Sequence, residues 1–140
     1  MKKNILITIK GMQGNTINAE DIEMKTTGTI YEKNGKFYIQ YTDTALDSET
    51  ETKTTVKVQP GKVSVSRFGG ANTHMIFEEG VTHFTPYETP FGIFEIMTHT
   101  EQIEYSLDKE ELWLDLKYIL EVNKVSTGMA NFSLKGKVID

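Results

Sequence analysis

The chain has 140 residues, of which 38% are hydrophobic, 10% aromatic and 25% charged, with 15 basic against 20 acidic side chains and no cysteine. That length suits a single domain spanning 1–140, able to bury roughly two-thirds of its unfolded surface, and the missing cysteines exclude disulfides, thiolate metal sites and thiol nucleophiles. A formal net charge of −5 argues against nucleic acid or an anionic membrane as partner, because both are recognised through clustered Lys and Arg.

At the start, Met1-Lys2-Lys3 and Ile5-Leu6-Ile7 resemble a secretory leader, but the apolar stretch ends by Lys10 without a small-residue cleavage site. No apolar run reaches bilayer-spanning length. The expectation is a soluble, cytoplasmic protein.

Period two then dominates. From Ile22 to Ile30, Ile22, Met24, Thr26, Gly28 and Ile30 share one face and Glu23, Lys25, Thr27 and Thr29 the other, the pattern of a half-buried strand. Lys33-Asn34-Gly35-Lys36 leads into Phe37, Ile39 and Tyr41, and Asn-Gly supplies the positive φ angles of a type I′ hairpin turn. A second hairpin runs from Thr54, Val56 and Val58 through Gln59-Pro60-Gly61-Lys62 to Val63 and Val65. Between the two hairpins, Asp43 to Glu51 is acidic and rich in Ser and Thr, and reads as a solvated loop.

Met75 and Phe77 end at Gly80, Thr82 and Phe84 follow, and Ile93 to Thr100 alternates again after Pro90-Phe91-Gly92. The clearest strand sets Leu112, Leu114, Leu116, Tyr118, Leu120 and Val122 against Trp113, Asp115, Lys117, Ile119 and Glu121. A helix would instead space its apolar residues three and four apart. The last run places Ala130, Phe132, Leu134, Gly136 and Val138 inward. Mid-strand Gly28 and Gly136 are expected to mark sharp bends.

Roughly nine or ten strands joined by hairpin turns predict an all-β fold, a single antiparallel, mostly up-and-down β-barrel of about eight to ten strands. Closure hides the strand edges that an open sheet of this size leaves exposed.

Ser66-Arg67-Phe68-Gly69-Gly70, Met75-Ile76-Phe77-Glu78-Glu79-Gly80 and Tyr87-Glu88-Thr89-Pro90-Phe91-Gly92, in that order and followed by long alternating strands, resemble the YwiB-like family of small bacterial proteins over essentially the whole chain. The resemblance implies a bacterial origin and a calycin-like barrel, related in shape to lipocalins and fatty-acid-binding proteins. It carries no established activity and no functional residues. The chain lacks the lipocalin Gly-x-Trp, its sole tryptophan being Trp113, and Gly11 to Asp21 is too short for a fatty-acid-binding protein's helical lid.

Arg67 is the most informative single residue. It is the only arginine beside 14 lysines, and it continues the inward face of Val63 and Val65. A guanidinium there must pair with a carboxylate, reach water or meet a ligand anion, since burying it unpaired costs several kcal/mol. Its planar fork suits bidentate contact with carboxylate or phosphate. The alternatives are an internal salt bridge, an arginine turned to solvent at the strand end, or a β-bulge at Phe68-Gly69-Gly70 that frees it from the interior.

His74, His83 and His99 show no zinc spacing, and Asp47-x-Glu49-x-Glu51 lacks the central Gly and distal Glu of an EF-hand loop. No metal or other cofactor is expected. Nucleophile elbow, P-loop, dinucleotide and zincin motifs are all missing, so no catalytic residue is assigned and an enzyme is disfavoured.

Two readings follow. The first is a non-enzymatic binder of a small amphipathic or acidic ligand at the barrel mouth, lined by Arg67, Tyr41, Phe77, Phe94, Thr98 and Tyr118, the apolar part among the aromatics and the acidic head on Arg67. The second is a structural or interaction module that meets a protein partner or another copy of the chain through an outer face of Trp113, Tyr38, Tyr31 and Ile119, since Trp and Tyr are enriched at interfaces. A covering layer of strand or helix is the alternative fate of that face.

Overall fold

The computed structural model describes residues 2–10, 23–44, 51–69, 73–89, 91–108 and 110–139. Its ten strands are β1 (Lys3–Lys10), β2 (Glu23–Lys33), β3 (Lys36–Thr44), β4 (Glu51–Gln59), β5 (Lys62–Gly69), β6 (Thr73–Glu78), β7 (Thr82–Thr89), β8 (Gly92–Leu107), β9 (Glu111–Val122) and β10 (Val125–Val138). They pair in the order β6-β5-β4-β3-β2-β1-β10-β9-β8-β7. Every ladder is antiparallel, and β1 joins the two halves by pairing with both β2 and β10.

The sheet curls into a nearly closed barrel whose end strands approach at a seam. There Glu79 forms a parallel bridge to Thr100, Gly80 N–H donates to the Thr100 carbonyl at 2.9 Å, and the Thr98 hydroxyl donates to the Ile76 carbonyl at 3.2 Å. Isolated backbone bonds and one side-chain hydroxyl thus satisfy backbone groups where no ladder continues. Among the described residues no helix is long and apolar enough to cross a membrane.

Alternation sets which side chains face inward. Ile5, Ile7 and Ile9, Ile39, Val56, Val58, Phe77, Leu114 and Leu134 are essentially fully buried and form one continuous core. Each such side chain contributes about 1.5–3 kcal/mol. Among the described residues no helix or second strand layer covers the outer face.

The turns follow local chemistry. Asn34 (φ 55°) and Gly35 (φ 76°) have the left-handed angles of the expected type I′ turn, and Gly61 (φ 73°) follows Pro60 in the next hairpin. The β9–β10 turn uses Asn123 (φ 51°) and Lys124 (φ 70°), a position where lysine is strained. Between β8 and β9, Asp108 Oδ1 accepts from the N–H groups of Glu110 and Glu111 at 2.9 and 2.8 Å. Those bonds hold its carboxyl below the usual range.

Two local expectations change, and two glycines show a further constraint. The ladder runs without interruption through Lys53 opposite Phe68 and Thr52 opposite Gly69, so among the described residues, which do not include Gly70, no bulge releases Arg67 from the inward face. The strand expected to stop at Thr100 continues to Leu107 across a register shift between Thr100 and Gln102. That shift moves the inward set from Ile96, Thr98 and Thr100 to Ile103, Tyr105 and Leu107, which is why the alternation breaks. Gly28 and Gly136 are sites of close approach, where a Cβ on Gly28 would lie 2.3 Å from the Gln40 carbonyl oxygen and one on Gly136 3.0 Å from Leu112 Cγ.

Of the stretch expected as an acidic loop, Asp43 and Thr44 end β3 and Glu51 begins β4. Asp47 and Glu49 lie outside the described residues, as does Gly11 to Asp21.

Candidate functional site

The site is built on β3, β4, β5 and β6 near the barrel end where β3 finishes and β4 begins. Tyr41 lies opposite Thr54, Thr54 opposite Arg67, and Arg67 opposite Thr73. Residues directly opposed across an antiparallel ladder share a face, and Thr54 is only 1% exposed. The row therefore faces inward. Arg67 is half-buried and already has an interaction partner of its own.

Among the described residues, the Thr54 and Thr73 hydroxyls that flank Arg67 are buried without a hydrogen-bond partner. An unsatisfied buried hydroxyl costs about 1–3 kcal/mol. Two of them beside the single guanidinium form a donor set suited to one carboxylate or similar oxyanion.

Away from the row the interior is mostly apolar. Phe77 and Tyr118 are fully buried, their ring centroids 4.8 Å apart at 59°, and they fill the space behind the seam. Burial pushes the Tyr118 phenol well above its ordinary value. Thr100, opposite Tyr118, is the third buried hydroxyl without a partner among the described residues. Phe94 is half-buried opposite Tyr87 on β7. The Thr98 hydroxyl is committed to Ile76.

Of the six ligand candidates, Arg67 and Tyr41 lie along the polar row. Phe77, Tyr118 and Thr98 belong to the packing behind the seam, and Phe94 is half-buried on β8 apart from the main core. Thr54 and Thr73 complete the row and had no signal of their own beyond small polar residues in inward phase.

The outer candidates do not share one surface. Tyr31 and Tyr38 stack at 4.9 Å on β2 and β3, whereas Trp113 (39% exposed) and Ile119 lie on β9. Six residues of strand between those two span about 20 Å.

The histidines are separately engaged. His74 Nδ1 meets Ser66 Oγ at 2.7 Å, His83 Nε2 meets Glu78 Oε1 at 3.1 Å, and His99 Nδ1 meets Thr82 Oγ1 at 2.7 Å. Among the described residues no group of His, Asp and Glu is arranged to hold a metal ion.

A family model described as a domain of unknown function (DUF1934) matches residues 7–134. The chain is 31% identical over 136 residues to the uncharacterized beta-barrel protein YwiB of Bacillus subtilis, covering 96% of this chain and 94% of that protein. It is also similar to the crystal structure of the ywiB protein from Bacillus subtilis, with a TM-score of 0.82 at 26% identity, covering 99% of this chain and 94% of that one.

Proposed function

The chain belongs to the DUF1934 family, and from that premise we propose that this β-barrel protein is a cytoplasmic, calycin-like, non-enzymatic carrier of a small amphipathic acid. The acid's head sits on the Thr54–Arg67–Thr73 row and its apolar part lies toward Tyr41 and Phe94. The supporting observation is the pair of buried hydroxyls on either side of Arg67 that have no hydrogen-bond partner among the described residues. A carboxylate shared with the guanidinium accepts from both and offsets their desolvation. The fill at Phe77 and Tyr118 favours a short ligand held near the mouth. Native mass spectrometry of protein purified without unfolding tests this. A bound acid in wild-type protein, lost in Arg67→Gln, supports it, and a bare mass in both contradicts it.

A second reading, an interaction module, is favoured by a different surface from the one around Trp113. Phe84 and Ile93 are 66% and 69% exposed on the outer face of the β7–β8 hairpin, where Phe84 opposes Met97. Self-association through that face is expected to appear in sedimentation velocity and to weaken in Phe84→Ser, and a monomer at all concentrations counts against it.

A further inference from the structure

A second polar site lies on the outside of the barrel. β5 presents Ser64 and Ser66 outward, and its neighbours are taller: Lys57 opposes Ser64 from β4, and Ile76 and His74 oppose Ser64 and Ser66 from β6. Small residues between taller ones leave a depression of about 330 Å³, closed at one end by Gln59 and Lys62.

Its electrostatics run against those of the whole molecule. Among the described residues none of the lining side chains is acidic, although acids outnumber bases 20 to 15 in the chain. Lys62 has one acidic cross-strand neighbour, Glu78, and that carboxylate is turned to His83 at 3.1 Å. Lys57 lies over the Tyr38 ring, 6.0 Å from its centroid, which places the ammonium above the depression without neutralising it. Among the described residues neither lysine is in an ion pair. The Ser66 hydroxyl is hydrogen-bonded to His74 Nδ1, which fixes the ring and leaves Nε2 on its far side.

We propose that this outer depression binds a phosphate group, held between the Lys57 and Lys62 ammonium groups with the Ser64 hydroxyl donating from the floor. Two point cations and a hydroxyl suit a compact, highly charged oxyanion. The residues are distinct from the Thr54–Arg67–Thr73 row, so the two sites stand or fall separately.

The test is an amide NMR titration of the full chain with inorganic phosphate and, separately, glycerol phosphate, each against chloride at matched ionic strength. Saturable shifts at Lys57, Ser64 and Ser66 are expected with phosphate and not with chloride. Lys57→Gln/Lys62→Gln is expected to weaken binding by at least about tenfold, from the loss of charged hydrogen bonds, while Lys135→Gln, exposed on β10, leaves it unchanged. Unaltered amide positions away from β4 to β6 show that the variants keep the fold, and single Lys62→Gln, expected to weaken binding severalfold, serves if the double variant does not. Tighter binding of glycerol phosphate identifies a carried phosphate monoester, and tighter binding of the inorganic ion identifies free phosphate. Shifts that chloride reproduces, or an affinity unchanged in the lysine variants, overturn the proposal.

Discussion

Glu79 Oε2 accepts a hydrogen bond from the Ile103 N–H at 3.0 Å, across the seam where β6 approaches β8. The β7 ladder on β8 ends at Thr82 opposite His99, so no strand continues on that side of Ile103, and the carboxylate supplies the acceptor that a neighbouring strand otherwise provides. The seam is therefore held by the Glu79 and Thr98 side chains together with the short backbone bridge at Thr100. Glu79→Ala is expected to destabilise the fold by about 1 kcal/mol, below the usual range for a charged hydrogen bond because the glutamate is exposed. A lower urea midpoint at unchanged slope checks it.

Lys124 has a left-handed backbone conformation, φ 70°, in the two-residue turn after Asn123. Replacing it with glycine removes a steric cost of roughly 1–2 kcal/mol, partly offset by the greater freedom of the unfolded chain. Lys124→Gly is therefore expected to raise stability by about 0.5–1 kcal/mol, seen as a higher denaturant midpoint.

Gly28 shows the opposite behaviour. A Cβ at that position would meet the Gln40 carbonyl oxygen at 2.3 Å and Ile7 Cδ1 at 2.7 Å, and a carbonyl paired in the β2–β3 ladder has little room to move. Gly28→Ala is expected to cost about 2 kcal/mol or more. Gly136→Ala, facing a Leu112 side chain that can adjust, is expected to cost less, and chemical denaturation of the pair ranks them.

The Tyr118 phenol is buried and its pKa is raised. A group with a raised folded-state value contributes stability below its unfolded value, near 10, and loses that contribution as pH rises toward the folded value. Wild-type protein is thus expected to lose stability above about pH 10 more steeply than Tyr118→Phe. Urea midpoints for both proteins across the alkaline range measure the difference, and parallel curves refute it.

These features differ in how far the sequence reveals them. The inward sets Val56 and Val58 or Leu112 to Tyr118 follow from alternation alone, because each strand has one buried face. Asn34-Gly35 announces its turn through its own conformational preference, whereas Asn123-Lys124 does not, since nothing local to lysine favours a left-handed backbone. The continuation of β8 past Thr100 is hidden because a bulge inverts parity midway. The site is legible only in part. Arg67 is conspicuous as a lone inward arginine, but its flanking hydroxyls come from Thr54 and Thr73 on two other strands, and cross-strand register is a property of the assembled sheet.

Calorimetric titration of the wild-type protein and Arg67→Gln with decanoate, a short amphipathic carboxylate, tests the binding site most directly. Saturable binding near one equivalent, weakened at least about tenfold by loss of the charged contact, is the predicted result. No heat of binding to the wild-type protein, or equal affinity in the two proteins, would contradict the assignment of the Thr54–Arg67–Thr73 row as a ligand site.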